Sequence, residues 1–327
     1  MSFKDKKILI TGGAGFIGSN LAIRLVAEGA IVTILDSMLP DYGGNLFNIK
    51  SIKNRIHLNF SDMRDTHSLS YLVQDKDYIF NIAGQVSHQD SMSNPLMDME
   101  INVRAQLVLL EACRRFNSDV VIIYTSTRQL YGRPQYLPVD EKHPINPPDV
   151  NGVNKLAAEQ YHTLYSKVHG LKTVSLRLTN TYGPRQLIKN ARQGFIGWFV
   201  NRALTGEIIQ LFGTGEQIRD FNYVEDVVEA LIRASQCRDC IGEVYNLSGD
   251  KAALKDVAQK LIRLCGKSTI ELIPFPEERK KIDIGDFYGT SEKFQRATGW
   301  RPEVDLDEGL SRTITYYNNH QRYYLEI

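Results

Sequence analysis

The sequence predicts an α/β fold: a doubly wound parallel sheet with helices on both faces, and a smaller C-terminal α/β lid. Three observations predict it. A short apolar run at 8–10 meets a turn whose glycines, Gly12, Gly15 and Gly18, are spaced G-x-x-G-x-x-G, and an apolar helical pattern follows at Phe16, Ile17, Leu21, Ala22, Leu25 and Val26. A second apolar run at 30–35 ends in Asp36. Runs of strand and helix character then alternate through the first half of the chain, the pattern of a parallel sheet.

The first unit reads as strand, tight turn and helix. Gly12 permits the turn, Gly15 lets the backbone approach a pyrophosphate, and Gly18 lets the helix pack close on the strand. Phe16 and Ile17 open the helix, whose N-terminal N–H groups and positive dipole end suit phosphates. The pattern gains meaning from an acid about 20 residues on, at the end of the next strand, and Asp36 is that acid. A carboxylate there accepts hydrogen bonds from both ribose hydroxyls and repels a 2′-phosphate. The expected cofactor is therefore NAD rather than NADP, in a Rossmann-type sheet.

Further strands are expected at 56–60, 78–82, 120–124 and 174–178. Such sheets bind ligands at the carboxyl ends of their strands. Ser61, Asp62 and Met63 follow the third strand, placed to meet an adenine. Ala83 and Gly84, in the small-residue turn 81–85, are placed to lie against the cofactor. Thr125, Ser126 and Thr127 follow the fifth strand. Ser93-Asn94-Pro95 signals a helix start, with Asn94 as N-cap and Pro95 in the first turn, and that helix is expected to run to about Phe116. A second long helix is expected over 152–169. Both carry apolar residues at helical spacing for the core, with surface left for a second subunit.

Beyond Thr179 the pattern is irregular. Turns fall at Gly183-Pro184, Gly213-Thr214-Gly215 and Ser248-Gly249-Asp250, with helices expected at 224–235, 254–265 and 306–319. The reading is a dinucleotide-binding domain over 1–178 and a substrate-binding lid over 179–327, with a strand at 244–247 returning to the main sheet.

The 39 basic and 38 acidic residues leave a formal net charge of +1, which points away from nucleic acid and membrane surfaces as partners. No apolar run approaches the ~20 residues of a spanning helix. The opening MSFKDKK leads straight into the first strand, so a cytoplasmic protein is expected. Of Cys113, Cys237, Cys240 and Cys265, the middle two form a CxxC without a second pair or nearby histidine. It reads as an ordinary pair at a helix end, and no metal site is expected.

These signals resemble the extended short-chain dehydrogenase/reductase family, which modifies nucleotide sugars. The resemblance covers nearly the whole chain: TGGAGFIG at 11–18, Asp36, SDMRD at 61–65, NIAGQ at 81–85, TSTRQLYG at 125–132, LRLTNTYGPR at 176–185 and RDFNYVEDVVEA at 219–230. It implies NAD held by the first half and a UDP-, GDP- or CDP-linked sugar held by the second. A sugar carbon is oxidised to a transient ketone, then epimerisation, dehydration or decarboxylation follows. It also implies a homodimer built through two long helices per subunit. Asn180 matches a position that contacts the diphosphate. Arg219 matches an arginine whose guanidinium fork pairs with phosphate, and Arg279 is a second candidate for that task.

The chain departs from the family's reaction centre. The family uses Tyr-x-x-x-Lys with a Ser or Thr hydroxyl, the lysine lowering the tyrosine pKa. Here Lys155 and Thr127 are in place, but Asn151 stands at the tyrosine position. An amide cannot serve as general base, a role typically worth ~10²–10⁴ in rate. His88, Tyr131 and Tyr124 are the candidates to replace it, and His88 has the most suitable ordinary pKa, ~6.5. The 4,6-dehydratase branch carries an Asp and a Glu after the Thr. Arg128 and Gln129 stand there instead, which argues against 4,6-dehydration and suits an anionic or highly oxygenated sugar. The stretches 83–102 and 192–199 resemble the CDP-tyvelose 2-epimerase branch. The expected function is an NAD-dependent nucleotide-sugar epimerase. The alternatives are a dehydrogenase or decarboxylase that does not return the hydride, and a redox-silent paralogue that only binds sugar nucleotide.

Overall fold

The computed structural model of the chain describes residues 2–39 and 42–325. Seven parallel strands form the main sheet: β1 (Lys7–Thr11), β2 (Ile31–Leu35), β3 (Ile56–Asn59), β4 (Tyr78–Asn81), β5 (Val121–Thr127), β6 (Lys172–Leu178) and, after three lid strands, β10 (Val244–Leu247). The lid strands are β7 (Asn180–Tyr182), β8 (Ile209–Phe212), β9 (Ile218–Tyr223), β11 (Asp250–Ala253) and β12 (Ile270–Ile273). The main sheet runs β10-β6-β5-β4-β1-β2-β3. The order reverses between β1 and β4, where such sheets open a crevice for a ligand.

Strand alternation explains why both faces are buried. Ile8, Ile10, Val32, Ile34, Phe80 and Ile123 face one way, where they meet Leu21 and Leu25 of α1 (Phe16–Ala27) and Val227 and Leu231 of the later helix Val224–Gln236. Leu9, Leu35, Ile79 and Ile122 face the other way, onto Leu69 of α2 (Thr66–Leu72) and onto Leu109 and Leu110. Each fully buried Leu or Ile side chain contributes about 1.5–3 kcal/mol.

Three helices then bring the chain over the crevice: α3 (His88–Ser93), α4 (Pro95–Met99) and α5 (Ala105–Phe116). The Asn94 side chain caps α4 by accepting from the Met97 N–H at 3.3 Å. The expected single helix to Phe116 is interrupted by a π-helical turn, Glu100–Arg104. Such turns recur at functional sites. This one carries Asn102, whose amide accepts from the Gln85 N–H at 3.2 Å and donates to the Gln85 carbonyl at 3.0 Å. The next helix, α6 (Val150–His169), starts two residues before the expected position because Asp149 caps it, accepting from the Gly152 N–H at 2.7 Å.

The lid has its own core, in which Phe199, Leu211, Val257, Leu261 and Leu310 pack together. It holds a β11-β9-β7 sheet and a β12-β8 pair. Its strands β8, β11 and β12 are short and partly exposed, so their alternation is weak in the sequence. Cys237 and Cys240 are joined by a disulfide, which corrects the expectation of an ordinary unbonded pair: the turn after the helix brings the two Cα atoms within 5.3 Å, a bridgeable separation.

Candidate active site

The glycine turn is built so tightly that side chains are excluded. Gly12 has φ +68°, and a Cβ there would lie 3.0 Å from the Ala83 backbone. A Cβ on Gly18 would lie 2.2 Å from the Gly12 carbonyl oxygen. Helix α1 follows with no side-chain cap at Gly15, leaving its first N–H groups for an anion. Asp36 is fixed at the end of β2 by the Ala14 and Met38 N–H groups, each 3.0 Å away. Burial raises its carboxyl above the ordinary value against those two bonds. Beside it the cavity is lined by Ser37, Leu39, Tyr42, Gly44, Ser61, Asp62 and Met63, without a lysine or arginine among these described residues. This cradle fits a dinucleotide with a free 2′-hydroxyl. Asp62 is turned partly inward, accepting from Arg64 at 2.9 and 2.8 Å.

One cavity of about 1010 Å³ extends from this cradle to the lid. It gathers the residues singled out from the sequence: Gly12, Gly15, Phe16, Ile17 and Gly18 from the first turn, Asp36, Asp62 and Met63 from the strands beside it, and Ala83, Gly84 and His88 from the β4 loop. Thr127, Arg128 and Gln129 at the end of β5, Asn151 and Lys155 on α6, and Asn180, Arg219 and Arg279 on the lid side complete it.

At its centre, Lys155 is buried. Its Nζ donates to the Thr125 carbonyl at 3.1 Å and lies 5.1 Å over the Tyr124 ring. Burial lowers its pKa to about 8, partly opposed by Asp98. A Cβ on Gly84 would come 2.9 Å from Asn102 Oδ1 and 3.0 Å from Lys155 Nζ, so the bare loop lets both side chains approach closely. The Thr127 hydroxyl accepts from the Gln129 N–H at 3.2 Å. Asn151 is 2% exposed. Its Nδ2 donates among the Gln85 carbonyl (2.9 Å), Gln85 Oε1 (3.2 Å) and Asp98 Oδ2 (3.1 Å). It braces the loop and the α4 turn and presents no basic atom to a substrate.

The tyrosines proposed as substitutes do not reach the cavity. Tyr131 donates to Asn246 at 2.7 Å inside the fold, and Tyr124 lies buried beneath Lys155; burial raises the pKa of both. His88 lines the cavity, and its Nδ1 is 3.0 Å from Asp149 Oδ2. Gln129 turns its amide to the same carboxylate, donating at 2.8 Å, so its polar end is held by protein rather than offered to substrate. Sequence reasoning missed Asp149. The signal was present as an N-cap residue ahead of an apolar helical pattern.

Arg128 is held over the Phe287 ring at 5.1 Å and donates to Asn180 Oδ1 at 3.2 Å. Burial, with Arg219 nearby, lowers its pKa to about 10. Arg219 donates to the Ile218 carbonyl at 2.9 Å and to Asp283 at 3.2 Å. Arg279 is exposed at the rim, 5.1 Å over Phe212. Phe195, Trp198, Phe199 and Phe275 add an aromatic wall that the sequence did not reveal as part of the site.

Residues 9–313 match the family described as GDP-mannose 4,6 dehydratase. The chain belongs to the NAD-dependent nucleotide-sugar epimerase/dehydratase family, the extended short-chain dehydrogenases/reductases. It is similar to a putative UDP-glucose 4-epimerase of Methanocaldococcus jannaschii, 33% identical over 96% of this chain and 99% of that one. It is 31% identical to the CDP-paratose 2-epimerase of Salmonella typhi, over 94% and 97%. The UDP-glucose 4-epimerase of Thermus thermophilus, solved in complex with NAD, superposes with a TM-score of 0.84 at 31% identity, over 95% of this chain and 99% of that one. The protein is an enzyme of this family with a Rossmann-type fold, and its cofactor is NAD.

Proposed function

We propose that this enzyme inverts a carbon of a UDP-, GDP- or CDP-linked sugar by transient oxidation to a keto-sugar. The observation that carries the reading is the cavity itself: Lys155 and Thr127 stand at its centre, while the two positions after Thr127 are an arginine and a glutamine rather than the acids that dehydration needs. In this reading residues 1–178 hold the dinucleotide and 179–327 the sugar nucleotide. Gly12, Gly15, Phe16, Ile17 and Gly18 hold the pyrophosphate, and Asp36 takes the ribose hydroxyls. Asp62, Met63, Ala83 and Gly84 flank the adenine and nicotinamide ends.

Bound NAD supplies the acceptor and later the donor of a hydride. The chain's residues do the rest. Lys155, with its lowered pKa, holds the nicotinamide ribose and its charge favours a developing alkoxide. Thr127 directs a hydroxyl bond at the reacting oxygen. Arg219 and Asn180, with Arg279 at the rim, orient the diphosphate, and Arg128 meets the sugar. Asn151 braces this arrangement. The enzyme is a homodimer in this reading: Leu96, Met97, Met99, Val153, Leu164 and Val168 are exposed apolar side chains on α4 and α6, and sedimentation of the purified protein checks it. A cytoplasmic location belongs to the same proposal, and cell fractionation tests it.

The deciding experiment incubates the purified protein with UDP-, GDP- and CDP-sugars and follows product stereochemistry by NMR alongside NADH absorbance. Epimer formation without net NADH is expected. Steady NADH accumulation would replace the epimerase with a dehydrogenase or decarboxylase. Tight sugar-nucleotide binding without any turnover would make the protein a redox-silent binder.

A further inference from the structure

The family's tyrosine is absent, yet a second proton-transfer arrangement stands in the same cavity. His88 lies on the β4 loop side, with its side chain 37% exposed to the cavity and its Nδ1 turned toward Asp149 Oδ2 at 3.0 Å. The Asp149 side chain is fully buried. Three groups fix it: the Gly152 N–H at 2.7 Å and Gln129 Nε2 at 2.8 Å, in addition to His88. Burial would raise the Asp149 carboxyl, but the His88 contact and these bonds hold it below the ordinary value. It is thus an anion in a fixed position. His88 Nδ1 is itself buried, and the Asp149 carboxylate is the group that faces it.

Two chains of contact link His88 to the residues around Thr127 and Asn151. Gln129, two residues after Thr127, bonds Asp149, which faces His88. Asn151 bonds Gln85, whose own amide donates to the Ser87 carbonyl at 2.9 Å, next to His88. The other charged groups on elements packed against α3 are engaged elsewhere. Asp98 of α4 is held by Asn151 and by Asn154 at 2.7 Å, Lys155 by Thr125, and Arg192 lies 3.2 Å from Asp90. Arg279 reaches this helix at Gln89.

We infer that His88, oriented by Asp149, is the proton-transfer group of this enzyme and replaces the tyrosine that Asn151 displaces. The inference rests on the redox reading above. In the first half-reaction the sugar O–H bond breaks and its proton forms a bond to His88 Nε2. The C–H bond of the same carbon breaks with its electron pair leaving as hydride to the bound nicotinamide, and a C=O bond forms. Asp149 remains ionised and neutralises the imidazolium. In the second half the hydride returns to the opposite face, and Nε2 gives the proton back to the oxygen. Asp149 is a positioning residue, and Gln129 supports it.

The test uses the full-length holoenzyme in two readouts. In turnover, His88→Ala should lose ~10²–10⁴ in kcat, with added imidazole restoring part of it. Asp149→Asn keeps the cap on Gly152 and removes the anion, so the acid limb of the pH–rate profile should move to lower pH. In ¹⁵N NMR, the His88 ring nitrogens, assigned by their loss in His88→Gln, should show the Nδ1–H tautomer in the wild type and lose that preference in Asp149→Asn. A His88→Ala enzyme with the wild-type rate and an unchanged acid limb overturns the proposal. If the wild-type protein turns over no nucleotide sugar, the epimerase reading fails by itself. The ring tautomer then decides the dyad: a tautomer preference unmoved by Asp149→Asn overturns it, and a lost Nδ1–H preference supports it.

Discussion

Lys155 makes the ligand-free protein less stable at neutral pH than it would be with an apolar residue there. The residue is 4% exposed, and its ammonium has a pKa lowered to about 8 from 10.5. The gap between these values corresponds to about 3 kcal/mol at about 1.36 kcal/mol per pKa unit. Because the folded state holds this proton less tightly than the unfolded chain, the penalty is fully present below pH 8. It is relieved as pH rises toward 10.5. Between pH 7 and 9.5 it falls from about 3 to about 1 kcal/mol. Lys155→Met does not titrate, so subtracting its urea-unfolding free energy from that of the wild type isolates the term. The substitution also removes the bond to the Thr125 carbonyl, a pH-independent loss of about 1 kcal/mol. The stability advantage of Lys155→Met should therefore shrink by about 2 kcal/mol over that interval. A difference that stays constant with pH, or grows, would refute the argument that burial governs this lysine.

Three further outcomes follow from the same packing. Gly18→Ala places a methyl 2.2 Å from the Gly12 carbonyl oxygen, backbone that cannot yield without opening the turn. It should cost about 1–3 kcal/mol or more and abolish NAD binding, read by thermal melting and calorimetry. Arg177→Met leaves Glu159 buried without its partner, 0% exposed after losing a 2.6 Å ion pair; about 3–5 kcal/mol of stability should be lost by urea unfolding. Asp36→Asn weakens a charge-assisted bond worth about 1.5–3 kcal/mol. Titration should show NAD affinity falling at least tenfold and the preference over NADP narrowing.

The sequence by itself determined the sheet, the cofactor cradle and most of the cavity wall. Strands buried on both faces leave dense apolar runs, and Gly18 has to be glycine because a backbone oxygen lies where its Cβ would be. Parallel strands all deliver their next residues to one edge, which is why Asp36, Asp62, Gly84 and Thr127 meet without long-range information. The departure at Asn151 was also legible, because the surrounding motif fixes its place. Tertiary structure decided what the departure means. Asn151 takes its partners from Gln85 and Asp98, 66 and 53 positions away, and the same packing sets Asp149 against His88. Tyr124 and Tyr131 were equal candidates in the sequence, and only their burial removed them. The lid strands stayed hidden for the converse reason: β8, β11 and β12 are four-residue strands with partly exposed faces, so little apolar patterning marks them. Hydrophobic period is local, whereas the contacts that orient an ionisable group depend on which distant segments the fold brings together.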